Sequence, residues 1–227
     1  MRLSIVVPVL DEEAVLGATL AAARAGLDRH DELIVVDGGS ADRTADVARA
    51  GGAELIAGDR GRGRQMNDGA ARARGDLLLF LHADTLLPVG FRADLERLVA
   101  DGGIRWGRFD LEFDEGGPLL RLIARLISGR SRIFRSATGD QAMFVRRDEF
   151  EAEGGYREAL LFEDVDLARR LRARGRMGIP AGRVVTSARR WRRRGVWATT
   201  FRMWTLKSLY LAGVPGERLA KFYRDER

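Results

Sequence analysis

Cysteine is absent from the 227 residues, which excludes disulfides, thiolate metal sites and a cysteine nucleophile. Lysine is nearly absent: among 39 basic residues only Lys207 and Lys221 are not Arg. Arg is always charged and binds phosphate bidentately, although a GC-rich genome would give the same bias. Histidine occurs only at His30 and His82. No apolar run approaches the length of about 18 residues that suggests a membrane-spanning helix. The apolar run near the start is too short for a signal peptide and leads straight into a strand pattern. A cytoplasmic protein is expected, with a peripheral contact at the inner membrane face as the further option. Internal repeats and low-complexity linkers are also missing, so one domain is expected over 1–227.

What is present is a folded α/β chain. Hydrophobic residues make up 45% of it, enough for one substantial core. The net charge of +6 is compatible with an anionic substrate, nucleic acid or a membrane surface, and chooses none of them, because 33 acidic residues are interspersed.

The first half alternates strands and helices. Strands are expected at Leu3–Val9, Leu33–Val36, Ala53–Ala57 and Asp76–Leu81, with helices at Asp11–Arg24, Asp42–Ala50 and Arg62–Arg74. Continuous apolar strands separated by helices indicate a mostly parallel sheet covered on both faces. Ligands bind beyond the carboxyl ends of such strands. In the second half a strand is expected over Ile104–Phe113, a helix at Pro118–Ile127 and a polar loop at Arg130–Asp140. A short strand at Ala142–Val145, a helix at Asp164–Arg174 and a strand at Arg183–Thr186 follow. Two helices, Val196–Gly213 and Gly216–Tyr223, close the chain.

Carboxylates collect at the strand ends. Strand one runs through Pro8 to Asp11 and Glu12, which suit a ribose or base as well as they suit an acidic first helical turn. Strand two ends at Asp37, and Gly38 and Gly39 would let backbone approach a ligand; the other reading is a tight turn capped by Ser40 or Asp42. Gly61 to Ala70 places Arg64 and Asn67 at a helix start, where a diphosphate could bind; a solvated basic helix is the plain alternative. It is neither a Walker loop nor a dinucleotide fingerprint. Strand four ends His82-Ala83-Asp84-Thr85. A hard divalent ion would take Asp84 together with phosphate oxygens, and His82 beside it fits Mn2+ better than Mg2+; a helix cap at Asp84 is the alternative. Glu163, Asp164 and Asp166 open a helix, as dipole-complementing acids or as a general base.

In their order these motifs resemble glycosyltransferase family 2. The resemblance rests on Pro8, Asp11 and Glu12; on Val36, Asp37, Ser40, Asp42 and Thr44; on Asn67 and Gly69; on Asp84 in the metal-binding Asp-x-Asp position; and on Glu163 to Leu167. It covers nearly all of the first 170 residues. It departs at His82, which replaces the first Asp of Asp-x-Asp, and at Gly38, which replaces a second Asp. The His-Ala-Asp-Thr and Gly-Arg-Gln-Met-Asn pieces are similar to a bacterial subgroup of small family members.

The resemblance implies a GT-A (Rossmann-like) fold and an inverting transfer of sugar from a nucleoside-diphosphate sugar to a hydroxyl acceptor. A UDP-sugar is expected ahead of a GDP-sugar, assisted by Mg2+ or Mn2+. It divides the chain into a nucleotide-sugar half (1–86), an acceptor and catalytic half (87–195) and C-terminal helices (196–227). It implies donor contacts from Pro8, Glu12, Asp37, Gly38, Arg64, Asn67, Ala83, Asp84 and Arg190, and metal binding by Asp84 with His82. Acceptor contacts would come from Gln141, Glu163 and Trp191. Asp164 is the expected base, with Asp140 as alternate.

A sugar-phosphate nucleotidyltransferase would want a Gly-rich basic loop after strand one, and none follows it. A basic RNA-binding module would interleave aromatics on sheet strands, so no nucleic-acid partner is expected. The basic and aromatic stretch 189–213 is expected to pack against the sheet or a second subunit in a homodimer, with peripheral membrane binding as the competing reading.

Overall fold

The most apolar stretches form the strands at the middle of the molecule. The computed structural model describes residues 1–100, 102–157 and 161–223, without the side chains of a few positions in the last helices, Arg190 among them. In chain order the first elements are β1 (Leu3–Val9), α1 (Leu16–Arg24), β2 (Glu32–Asp37), α2 (Thr44–Ala50), β3 (Glu54–Ala57), α3 (Arg62–Arg72) and β4 (Leu77–Phe80). Then come β5 (Thr85–Leu86), α4 (Phe91–Val99), β6 (Ile104–Gly107), β7 (Asp110–Phe113), α5 (Pro118–Ile133), a single 3-10 turn at Gly139–Gln141, and β8 (Met143–Arg146). The chain continues through α6 (Arg147–Ala152), α7 (Glu163–Leu171), β9 (Arg176–Gly178), β10 (Arg183–Thr186), α8 (Arg189–Arg194), α9 (Val196–Leu211) and α10 (Gly216–Tyr223).

Seven strands form one sheet in the order β3-β2-β1-β4-β8-β6-β9. The first four are mutually parallel, and β8 runs antiparallel to both β4 and β6. Both faces are covered, which is why the strands carry no polar alternation. Leu3, Ile5 and Val7 pack on one side with Leu16, Leu20 and Phe91, while Val6, Ile34 and Phe80 pack on the other with Met66, Ala70 and Leu167. At Gly69 an added Cβ would stand 2.3 Å from Val6 Cγ1, so only glycine lets α3 lie this close to β1. From β1 the chain moves outward to β2 and β3 and then returns to β4 on the other side. The carboxyl ends of β1 and β4 therefore flank a topological switch point.

A second sheet, β5-β10-β7, stands beside the first. The strand expected over 104–113 is thus two strands in two sheets. The chain changes sheet at Arg108 and Phe109, both fully buried. Arg108 donates to the Phe109 carbonyl at 3.0 Å, to the Ser128 carbonyl at 2.9 Å and to Asp110. Arg132 closes on the same carboxylate at 2.6 Å. Burial alone would raise the Asp110 pKa, but the bonds from Arg132 and Arg108 outweigh it and hold it below the usual range. Removing one member of a buried ion pair typically costs about 3–5 kcal/mol. Asp110→Ala should therefore lower the urea midpoint by that equivalent, and an unchanged midpoint would show that the network is dispensable.

Three other expectations are corrected. The helix after β1 begins at Leu16 rather than Asp11, because residues 11–13 are held by the β2 loop. Helix α5 continues to Ile133, through the start of the expected polar loop. Helix α4, absent from the sequence reading, caps one face through Phe91, Leu95 and Val99.

Candidate active site

The edge at the carboxyl ends of β1 and β2 is built from two interlocked loops. The Glu12 amide donates to Thr44 Oγ1 at 2.8 Å, and the Ala41 amide donates to Asp11 at 2.7 Å. Asp37 accepts from the Ser40 amide at 3.0 Å and its hydroxyl at 2.6 Å, which fixes the direction of its carboxylate at the end of β2. Buried Gln65 donates to the carbonyls of Val9 and Val36, both at 2.8 Å, and so ties α3 to the ends of β1 and β2. A Cβ on Gly38 would stand 3.1 Å from the Gln65 amide, so Gly38 serves this approach.

Asp84 follows β4 and precedes β5. Its carbonyl accepts from the Ser187 amide at 3.2 Å, joining it to the end of β10. Arg189, at the start of α8, reaches Glu12 at 3.0 Å and Asp84 at 3.8 Å. Glu12 and Asp84 are thereby drawn to one guanidinium.

A cleft of about 240 Å3 opens between this edge and the second half of the chain. His82, Asp84, Arg189, Asp140, Glu163 and Asp164 line it, together with Trp191 and residues of helices α5 and α9. Asp164 is the second residue of α7 and accepts from the Val165 amide at 2.6 Å and from the Gly139 amide. Enclosure of its carboxyl by protein, reinforced by neighbouring Glu163, raises its pKa to about 7 against the opposing pull of Lys207. The Gly139 backbone passes so near His82 that a Cβ would meet Nε2 at 2.2 Å. Trp191 packs edge-on to Phe113, with ring centres 5.4 Å apart, while still facing the cleft.

Several expected site residues lie elsewhere. Both ends of the Asn67 amide bond the backbone of Tyr156, at 2.8 and 2.9 Å, so this side chain is a clamp between α3 and the segment before α7. Gln141 is buried and closes the 3-10 turn on Thr138. Arg64 is exposed and pairs with Asp59 at 3.3 Å. Pro8, Gly38 and Ala83 are buried backbone positions at strand ends, and the Ala83 carbonyl accepts from Thr19 at 2.7 Å. The Arg190 side chain lies outside the described residues. The cleft also contains Arg62, Arg130, Arg189 and Lys207, none of which the sequence reading placed there. Arg130 had been read as loop, and Lys207 was hidden in an apolar helix.

The face of α9 expected to pack inward is in part open: Trp197 is 72% and Phe201 77% exposed. Among the described residues no helix is long and apolar enough to cross a membrane. Nor is there a group of three or more His, Asp or Glu able to hold a metal alone.

This architecture is the GT-A fold. The S. aureus TarS 1–349 crystal structure superposes with a TM-score of 0.67 at 16% identity, covering 83% of this chain and 61% of that one. Glucosyl-3-phosphoglycerate synthase from Mycobacterium tuberculosis, solved with Mn2+, UDP and glucosyl-3-phosphoglycerate, superposes with a TM-score of 0.57 at 21% identity, covering 82% and 70%. The model of glycosyl transferase family 2 matches residues 4–157, more than half of the chain, and the protein belongs to that family of transferases. By sequence it is 33% identical over 96 residues to a glucosyl-3-phosphoglycerate synthase of Mycolicibacterium paratuberculosis, a match covering 38% of this chain and 29% of the relative. It is also 34% identical over 127 residues to an uncharacterized glycosyltransferase of Mycobacterium bovis, covering 56% and 50%. The chain thus spans half or less of these curated relatives.

Proposed function

We propose that this chain is an inverting glycosyltransferase that moves a sugar from a nucleoside-diphosphate sugar, a UDP-sugar first, to a hydroxyl acceptor. One observation carries the reading: a single cleft is lined by Asp84 at the switch-point edge and by Asp164, a carboxyl held near neutrality, on the facing half. Asp37 and Glu12 would contact the nucleoside, and Arg189 the diphosphate. Asp164 takes the proton of the acceptor hydroxyl, whose oxygen attacks the anomeric carbon as the bond to the diphosphate breaks. Titration near pH 7 suits that task, because about half of the base is unprotonated near neutral pH and it is still strong enough to receive a proton. The relatives solved with UDP-GlcNAc, or with UDP and Mn2+, support this choice of donor and of a divalent ion. Asp84 fits such an ion: it faces the cleft as a single carboxylate, and a hard cation completes its shell with phosphate oxygens and water. When bound there, the ion would neutralise the departing diphosphate, and His82, which lines the same cleft, would be its second protein ligand. The His82-to-Thr85 signature places the chain, on this reading, among small members of the family.

A donor screen tests the proposal. Several UDP- and GDP-sugars would be incubated with and without Mn2+ and followed by slow donor hydrolysis and by thermal shift. Stabilisation by a nucleotide sugar, with metal-dependent hydrolysis, is expected. No shift with any nucleotide would reject the reading. Loss of a hydrogen bond to a charged acceptor costs about 1.5–3 kcal/mol, so Asp37→Ala should weaken UDP binding about tenfold or more. Calorimetry showing unchanged affinity would remove Asp37 from the donor site.

A further inference from the structure

The reaction as described leaves three cations in the cleft unused: Arg62, which pairs with Glu163 at 4.0 Å, and Arg130 and Lys207. Lys207 belongs to α9 and Arg130 to the last turn of α5, and both line the cleft. Lys207 Nζ and Arg130 Nε are buried without a hydrogen-bond partner. Among the described residues neither side chain forms a salt bridge, while most other arginines of the chain do. They are also near enough to act on each other: burial lowers the Lys207 pKa to about 8, and the Arg130 charge contributes to that shift. Burial lowers Arg130 as well, against the fields of Asp140 and Asp164.

Two like charges taken out of water without a counter-ion in contact are an unfavourable arrangement that a bound anion would relieve. The nearby carboxylates do not serve. Asp164 is engaged by the Gly139 and Val165 amides, and Asp140 by the Thr138 hydroxyl at 2.5 Å. The anion is also unlike the donor's diphosphate in position. On the donor edge Glu12 and Asp84 share Arg189, whereas Arg130 and Lys207 both lie in the fields of Asp164 and Asp140, on the side of the base.

We propose that Arg130 and Lys207 form the anion-binding half of the acceptor site, so that the acceptor is a hydroxy acid carrying a phosphate or carboxylate within a few bonds of the hydroxyl that Asp164 deprotonates. The assignment rests on the transferase reading above. It commits to the anionic group and leaves two sources for it. Leu126 and Trp204, on the same two helices, line the cleft and remain largely exposed, so a headgroup of an anionic lipid could reach the cations as a free phosphate ester could.

The scarcity of lysine makes the test direct. Lys207 and Lys221 are the only two, so acetic anhydride labelling read by mass spectrometry reports on Lys207 with Lys221 as internal reference. Labelling would be measured first without nucleotide and with UDP and Mn2+ alone, and every probe would then be added with saturating UDP and Mn2+ present, to fill the donor site. The probes are inorganic phosphate, glycerol 3-phosphate, and phosphatidylcholine vesicles with or without phosphatidylglycerol. Protection scales as one plus the ratio of ligand to Kd, so Lys207 labelling should slow about tenfold at ten times Kd, with Lys221 unaffected. Arg130→Met should abolish the protection while UDP affinity stays at the wild-type value, and Arg130→Lys should retain part of it. Protection by the soluble esters marks a soluble acceptor; protection by phosphatidylglycerol vesicles alone marks a headgroup; either supports the anion site. If UDP by itself shields Lys207 and no anion adds to it, the cations belong to the donor and the inference is overturned. If UDP binds but no anion protects, the inference falls and the transferase reading stands. Failure of UDP to bind removes both.

Discussion

Asp164→Asn is expected to lower sugar transfer by about 100-fold or more while leaving UDP affinity unchanged, the usual scale for a lost general base. The substitution keeps the shape and removes basicity, at the cost of one of the two bonds that the carboxylate oxygens accept from the Gly139 and Val165 amides. Wild-type activity should rise with pH through about 7, where Asp164 loses its proton. Lys207→Met removes a charge that favours the ionised form and should move that limb to higher pH. Stability should respond in the opposite sense. The folded chain holds the Asp164 proton up to about 7 and the unfolded chain only to its ordinary 3.8, so stability falls as pH rises between them. Asp164→Asn should therefore lack this pH dependence, its melting temperature falling less than that of the wild type between pH 5 and pH 8, by about 2–4 °C for each kcal/mol of the difference in a chain of this size. Full activity in this variant, with Asp140→Asn inactive instead, would exchange the roles of the two residues.

Asp84→Ala should abolish transfer and eliminate the dependence of UDP binding on metal, with the fold retained. The reason is the shortage of alternatives: no cluster of acids or histidines among the described residues could hold the ion without Asp84 and the substrate. Because Asp84 is only partly buried and its side chain does not enter the core, its loss should leave the melting temperature nearly unchanged. Metal-dependent nucleotide binding that survives in the variant, or full activity in excess chelator, would reject the assignment.

The first half of the chain was legible in the sequence for a physical reason. Val6, Val7, Ile34, Val35, Leu78 and Leu79 lie in strands buried on both faces, and such strands read as unbroken apolar runs whose ends are easily located. The carboxylates at Asp37 and Asp84 follow those ends directly. The second half resists this kind of reading because many of its elements are short and several of its polar residues are buried. Arg108 and Asp110 alternate with apolar neighbours as an ordinary half-exposed strand would, yet they compensate each other in the interior. Asn67 matches a family pattern and Gln141 is an expected acceptor contact, but they use their amides on backbone and on Thr138, a distinction that only three-dimensional contacts make. Lys207 left one trace: a lysine in an arginine-dominated chain, placed between Leu206 and Ser208 of an apolar helix. Its neighbours Trp197, Phe201 and Trp204 made the helix read as packing against the sheet or a second subunit, with membrane contact as the alternative, and neither reading gave the lysine a place in the cleft.

The Arg189 bridge has a thermodynamic corollary. A guanidinium does not give up its proton near neutral pH, so it can leave Glu12 and Asp84 only by turning away. On the reading proposed above, the arriving diphosphate draws Arg189 off these carboxylates and a divalent cation takes its place at Asp84. Donor loading is then an ion exchange, with old ion pairs opened as new ones form. Its ionic-strength dependence should be shallower than the number of charges meeting in the cleft would indicate, and metal without nucleotide should bind weakly, because it must compete with a cation already in residence.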